Sequence, residues 1–217
     1  TFVADDVNRI QIDAGDGDDH INVGRSITLP VNVDGGAGDD TIKTGAGDDN
    51  IVDLLGNNVI ESRGGSDVVN TGDGHDRVDS GSGDDLVRTR GGCDVIYAGA
   101  GHDVVVAGDG NDWIFGQDGR DILIGGDGRD KVFGGNGQDI LIGGFTDHDD
   151  NDEALNAIRD EWTSDRSLQK RVRNIWNGSG SANRENGQYF LNGQTISNDG
   201  DLDLLFGGFG IDWYPGC

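Results

Sequence analysis

A nine-residue frame runs without slipping from Gly35 to Ile142, and it constrains the fold more than any other property of the chain. Twelve consecutive units fit it. The fourth position is Gly in every unit, from Gly38 to Gly137, and the eighth is Ile, Val or Leu, from Ile42 to Leu141. The sixth is Asp in all but one unit, which carries Asn58. A frame held for that length marks a repeat architecture, in which a unit too small to bury its own apolar surface shares a core with its neighbours. Nine residues suffice for one tight turn and one short strand. Glycines at positions two and four let the turn take positive φ. Position eight points to one side of the strand and positions seven and nine to the other, so the aliphatic column faces inward.

The Asp needs its own explanation. Stacking places like carboxylates about 4.8 Å apart, which is repulsive unless something neutralises them. Calcium suits the task, because it takes about six to eight oxygens from carboxylates and backbone carbonyls, and tight glycine turns expose carbonyls. The units Gly125-Gly-Asp-Gly-Arg-Asp-Lys-Val-Phe133 and Gly134-Gly-Asn-Gly-Gln-Asp-Ile-Leu-Ile142 follow the pattern Gly-Gly-x-Gly-x-Asp-x-aliphatic-x in full. That pattern resembles the RTX repeat of secreted bacterial proteins. The resemblance implies an all-β repeat solenoid, a right-handed parallel β-roll with two nonamers per turn and calcium between same-side turns. The carboxylate ligands it implies are Asp19, Asp40, Asp49, Asp67, Asp76, Asp85, Asp94, Asp103, Asp112, Asp121, Asp130, Asp139, Asp203 and Asp212. The carbonyls of Gly108, Gly110, Gly126, Gly128, Gly135 and Gly137 complete the implied set.

Charge fits this expectation. The 217 residues carry a net charge of −25, and ten inter-turn gaps, each holding one Ca²⁺, bring the total close to neutrality. Forty glycines would suggest disorder in a chain without period, but the strict frame overrides composition. An acidic chain lacks the basic footprint that nucleic acid requires. We find no secretory leader, no apolar run long enough to span a bilayer and no targeting tail in the sequence, and Thr1 reads as a mature or an excised start. Cys93 and Cys217 lie several expected layers apart, beyond disulfide reach within one chain; they are free thiols or serve an intermolecular bridge.

Four regions follow. Residues 1–34 read as degenerate repeats that cap the roll: Val7, Ile10 and Ile12 suggest an edge strand, Gly15 to Ile21 is a good unit, and 26–33 is a strand-like bridge with Pro30 at an edge or bulge. Residues 35–142 are the roll. Within it, Leu54, Asn58 and Arg63 weaken the pattern, so calcium is expected to be weak or absent near Asn58, and Arg63 and Arg90 are either fixed cations replacing it or ordinary surface residues. Residues 143–197 are an insertion. Leu155, Ile158, Trp162, Leu168, Val172 and Ile175 have the spacing of one amphipathic helix, or of two with a break near Thr163-Ser164, followed by a polar loop and a hairpin from Gln188–Leu191 to Thr195-Ile196. Residues 198–217 return to the repeat, with Trp213, Tyr214 and Pro215 as a terminal plug.

Outward positions assign the faces. One sheet turns aliphatic at Val104/Val106, Ile122/Ile124 and Ile140/Ile142, a patch that should not face water, and the inserted helix is its expected cover. A helix lying on a membrane surface is the alternative, against which its mixed polar face argues. The other sheet carries Tyr97, Trp113, Phe115 and Phe133, which read either as a self-association face or as the seat of the loop 177–196. His20, His75, His102 and His148 are scattered; His75 and His102 sit at solvent-facing position five, and His148 among acids is either a surface group or part of a metal site. Asp39, Asp48 and Asp84, also at position five, are expected to be solvated or outer-shell. No zinc-protease helix, nucleophile elbow or phosphate loop occurs. The expected function is a non-enzymatic, secreted, calcium-binding structural module that folds on export and assembles at the cell surface or in an extracellular fibre or layer. The alternative is an adhesin or carbohydrate-binding module of a larger secreted protein, with Trp113 and Tyr97 stacking on sugar. An ice-binding roll is disfavoured by the irregular ladder Thr41, Val59, Arg77, Val95, and a polysaccharide lyase by the lack of a basic cleft.

Overall fold

A computed structural model describes residues 7–180 and 183–215. Within these, the chain winds into a parallel β-solenoid of two facing sheets, one of nine strands and one of eight. The register is fixed by the repeat. Val95 pairs with Trp113 and Trp113 with Lys131 in one sheet, and Val104 pairs with Ile122 and Ile122 with Ile140 in the other. Each step is eighteen residues, so two nonamers make one turn.

The first turn is longer. Ile12 pairs with Val33 and His20 with Thr41, a step of twenty-one. The three extra residues fall in the segment before the strand Val31–Ala37, which corrects the expected strand-like bridge: residues 26–30 lie outside any strand while 31–33 belong to one, and Pro30 ends the segment by offering its carbonyl to the Ile10 amide at 2.9 Å. Pro30 has no amide to give to a ladder, so it sits where only an acceptor is needed. The strand Ile10–Asp16 lies at the sheet edge and contains Ile10 and Ile12, whereas Val7, also expected in it, is exposed and outside any strand.

Between the sheets run the position-eight side chains, Ile42 through Leu141, all fully buried. Each is worth roughly 1.5–3 kcal/mol in transfer from water. Beside them, position one adds hydroxyls in the N-terminal half: Thr44, Ser62, Ser80 and Thr89 are buried and donate to the carbonyl eighteen residues on, at 2.7–3.0 Å.

The insertion forms two helices, α1 (Asp152–Thr163) and α2 (Leu168–Asn177), separated at Ser164–Ser167. Asn151 caps α1 by accepting from the Ala154 amide at 3.0 Å, and Asp152 and Glu153 suit its positive N-terminal end. Gly178 closes α2 in the left-handed conformation, φ 71°. Leu155, Ile158, Trp162 and Ile175 share one buried cluster with Val104, Val106, Ile122, Ile124, Ile140 and Ile142. Buried Arg88 ties the helices to the roll through the Asp149 carbonyl at 2.7 Å and the Asp152 carboxylate at 2.7 Å. Leu191 and Tyr189 join this same cluster, so the loop does not cover the aromatic face. The expected hairpin is corrected: residues 188–191 form no strand, and Ile196–Ser197 pairs antiparallel with Phe145–Thr146 instead.

The repeat then returns. Strand Leu204–Phe209 pairs with Lys131–Gly137, and Trp213 bridges to Ile140 and packs against Trp162 and Trp176 at 6.0 and 6.2 Å.

Candidate metal columns

The turns of the roll bring the position-six residues into two lines, one along each side. The first contains Asp19, Asp40, Asn58, Asp76, Asp94, Asp112, Asp130 and Asp203. The second contains Asp49, Asp67, Asp85, Asp103, Asp121, Asp139 and Asp212. Within each line the Oδ1 atom accepts from the backbone amide of the residue one turn earlier. Asp76, Asp94 and Asp112 donate in this way to Asp94, Asp112 and Asp130 at 2.8–2.9 Å. In the second line the steps from Asp85 to Asp103, Asp121 and Asp139 measure 2.8–3.0 Å. The ladder crosses the insertion intact, since Asp130 and Asp139 donate to Asp203 and Asp212 at 3.0 and 3.1 Å. All fourteen expected carboxylates therefore lie in the two columns.

Asp49 uses both oxygens, its Oδ2 accepting from the Gly45 amide at 3.2 Å, but most of the others use one and leave the second unpaired. The Oδ2 atoms of Asp40, Asp67, Asp76, Asp85, Asp94, Asp103, Asp112, Asp121, Asp130 and Asp139 are buried without a hydrogen-bond partner. Buried polar atoms are normally paired, and an unpaired buried charge is costly. Burial pushes eight of these carboxyls up: to about 8 for Asp85 and Asp112, about 9 for Asp121, about 7 for Asp67, Asp103 and Asp130, and about 6 for Asp94 and Asp139. Neighbouring column carboxylates add to the rise at Asp121, where Asp103 and Asp139 lie on either side. Two remedies exist, a proton on each or a cation between them.

Main-chain oxygens complete the donor set. Among the described residues no three carboxylate, thiol or imidazole side chains gather as a conventional metal site. A cation here must therefore draw on carbonyls as well, which suits a hard ion such as calcium. Gly126 and Gly128 show why the turns expose them. They take φ of 108° and 123°, and a Cβ on either would collide with the carbonyls of Gly108 and Gly110 in the preceding turn. The chain approaches itself through bare Cα atoms, and the same holds at Gly135 and Gly137. The residues present fit calcium.

The structure also settles side chains that the sequence left open. Position five builds an outer ladder. Asp39, Asp48 and Asp84 are exposed, yet each accepts from the amide one turn on, at 2.7–2.9 Å. His75 and His102 use Nδ1 in the same way, toward Cys93 and Arg120. His148 is engaged with the Phe190 carbonyl at 3.0 Å and the Tyr189 ring. Arg63 takes φ 74° and its guanidinium donates to the carbonyls of Val23 and Thr44 at 2.8 and 2.5 Å, so it satisfies main-chain oxygens at the N-terminal turns. Arg90 is exposed. Cys93 is an exposed free thiol, and Cys217 lies outside the described residues. Asn58 keeps the ladder by accepting from the Asp40 amide at 3.0 Å, while its Nδ2 donates to the Asp53 carbonyl at 3.2 Å. Two residues escaped the sequence reading: Arg88, whose outward position hid a buried tie to the insertion, and Asp53, a buried carboxylate at position one.

No described helix is long and apolar enough to cross a membrane. The family model of the RTX calcium-binding nonapeptide repeat matches residues 11–26, 32–52, 54–87, 81–114, 88–123 and 115–147. No curated protein matches the chain, and no solved structure does. Repeats of this family are structural calcium-binding modules typical of secreted proteins. The frame, the two-sheet solenoid and the family match agree, and the chain belongs to the RTX calcium-binding repeat family.

Proposed function

We propose that this chain is a non-enzymatic, calcium-gated scaffold, folded by ions held along the two Asp columns and assembling with copies of itself outside the cell. The unpaired, buried Oδ2 atoms carry the first part of the reading. Without cations the columns oppose folding; with cations they bind successive turns together. Extracellular modules of this type work at weak affinity, ~10⁻⁴ to 10⁻³ M. A chain so built stays unfolded where calcium is scarce and folds where it is abundant.

Self-association rests on the outer face of the eight-stranded sheet. Tyr97, Phe115, Phe133 and Phe206 form one ladder of rings at 4.9–5.0 Å, within 9° of parallel. Sugar stacking needs a free ring face, and the ladder offers little. One face of Tyr97 meets Phe115 and the Arg77 guanidinium lies over the ring at 4.6 Å, while the Lys131 ammonium stands 3.8 Å over Trp113. The geometry therefore favours assembly over glycan binding. Light scattering during a calcium titration tests it. Particle mass should rise in calcium for the native chain and stay monomeric for Phe206→Ser, which removes the half-exposed end of the ladder. A native chain that remains monomeric at high concentration in calcium refutes the assembly reading and leaves the scaffold.

A further inference from the structure

Asn58 looks like a gap in the first column, but a carboxylate stands beside it. Asp53 occupies position one of the same repeat, where the flanking units Thr44 and Ser62 place hydroxyls. It is fully buried, and both of its oxygens lack any hydrogen-bond partner. The two carboxylates that flank Asn58 in the column, Asp40 and Asp76, act on it electrostatically, as does Asp34. Asp40 and Asp76 each keep one unpaired buried oxygen as well. Asp53 thus adds two unpaired buried oxygens at the one turn whose position six carries no charge, between the layers of Asp40 and Asp76.

A second observation concerns space. A Cβ on Gly35 would lie 2.5 Å from the Asp53 carboxyl carbon and 2.7 Å from both oxygens. Within single repeats, position-one glycines stand against column carboxylates: a Cβ on Gly116 would lie 2.6 Å from Asp121 Oδ2, and Gly125 and Gly134 stand likewise against Asp130 and Asp139, whereas Gly35 meets Asp53 across one turn. Gly35 is the one position-one glycine outside those three units.

We propose that Asp53 is a metal ligand that replaces the carboxylate missing at Asn58, so that this turn of the first column holds a divalent cation like its neighbours. The proposal rests on the calcium reading of the columns. The competing arrangement is a protonated Asp53 acting as one more member of the position-one hydroxyl series. In that arrangement its acid hydroxyl would donate to a carbonyl one turn on, as Thr44 does to Ser62 at 3.0 Å. Both Asp53 oxygens stand without a hydrogen-bond partner, unlike the Thr44 hydroxyl.

The test counts calcium bound per full-length chain at saturation, by equilibrium dialysis with atomic emission. Asp53→Thr supplies the hydroxyl of the flanking units without the charge, and should hold at least one ion fewer than the native chain. Asp53→Thr combined with Asn58→Asp moves the carboxylate to position six and should restore the native count. An unchanged count in Asp53→Thr overturns the proposal. Should Asp53→Thr fail to fold in calcium, the double variant decides: a native count supports the relocated ligand, and a failure to fold or a lower count overturns it. A native chain that binds no calcium would instead overturn the reading of the columns themselves.

Discussion

Replacing Asp121 by Asn should have opposite effects with and without calcium. Asp121 is fully buried in the second column between Asp103 and Asp139, and its surroundings raise its carboxyl to about 9. In the metal-free fold at pH 7.5 this group, whose ordinary value is 3.8, must take up a proton, at a cost on the order of 5 kcal/mol. An amide carries no such cost. Asn58 shows that the site accepts one, with Oδ1 keeping the ladder and Nδ2 finding the position-one carbonyl. The metal-free variant should therefore be more stable by several kcal/mol. In calcium the sign reverses, because both gaps beside Asp121 lose a carboxylate. A site saturated at a hundred times its dissociation constant contributes about 2.7 kcal/mol, so losing two costs roughly 5 kcal/mol. The assay is far-UV circular dichroism in two titrations: folding by an excluded osmolyte in chelator, and unfolding by urea in millimolar calcium. The variant should fold at lower osmolyte and unfold at lower urea than the native chain. A shift of the same sign in both titrations would refute the reasoning, since the column would then be either plain packing or a proton store.

Acid should act in opposite directions as well. The raised carboxyls of Asp85, Asp112 and Asp121 bind more protons in the folded state, so metal-free stability is fullest below the ordinary carboxylate value near 4 and is lost as pH rises toward 8–9. In chelator the β-signal should strengthen between pH 8 and pH 5, whereas with calcium near its midpoint the same change should weaken it, because protons compete for the ligands. Ile114→Ala removes a fully buried core side chain and should cost about 2–5 kcal/mol in urea unfolding with calcium present. Arg88→Ala should loosen the insertion while the roll still folds: calcium-induced circular dichroism persists, but Trp162 fluorescence moves to the red, and an unmoved spectrum would mean that apolar contacts alone seat the helices.

Much of this was legible in the sequence, because a repeat translates register directly into geometry. Once position eight is inward, an eighteen-residue turn fixes which strands pair and puts every position-six Asp on one of two lines. The frame returns at Asp203 and Asp212, which placed the last turn across an insertion of helices. Local reading failed where tertiary partners decide. Residues 188–191 have strand-like composition, but Tyr189 and Leu191 are consumed by the buried cluster under the helices, and Ile196 finds Thr146 instead. Arg88 reads as an outward charge because its partners, the Asp149 carbonyl and Asp152, lie more than sixty residues away. Asp39, Asp48 and Asp84 read as solvated or outer-shell and are indeed exposed; only their bonds to the next turn's amides leave no trace in the sequence. Asp53 hid in plain view: its position one is inward, and nothing periodic reveals that its carboxylate is buried beside Gly35 with both oxygens unpaired.

The central claim is that cations on the Asp columns fold the roll. Far-UV circular dichroism of the native chain during a calcium titration, with magnesium in parallel, tests it most directly. Magnesium is smaller and keeps its octahedral water more tightly, so carbonyl-rich turns serve it poorly. A cooperative change from coil to β-spectrum in millimolar calcium and none in magnesium is the predicted result. A β-spectrum already complete in chelator at neutral pH would contradict the claim, since the columns would then be folded without the ions meant to neutralise them.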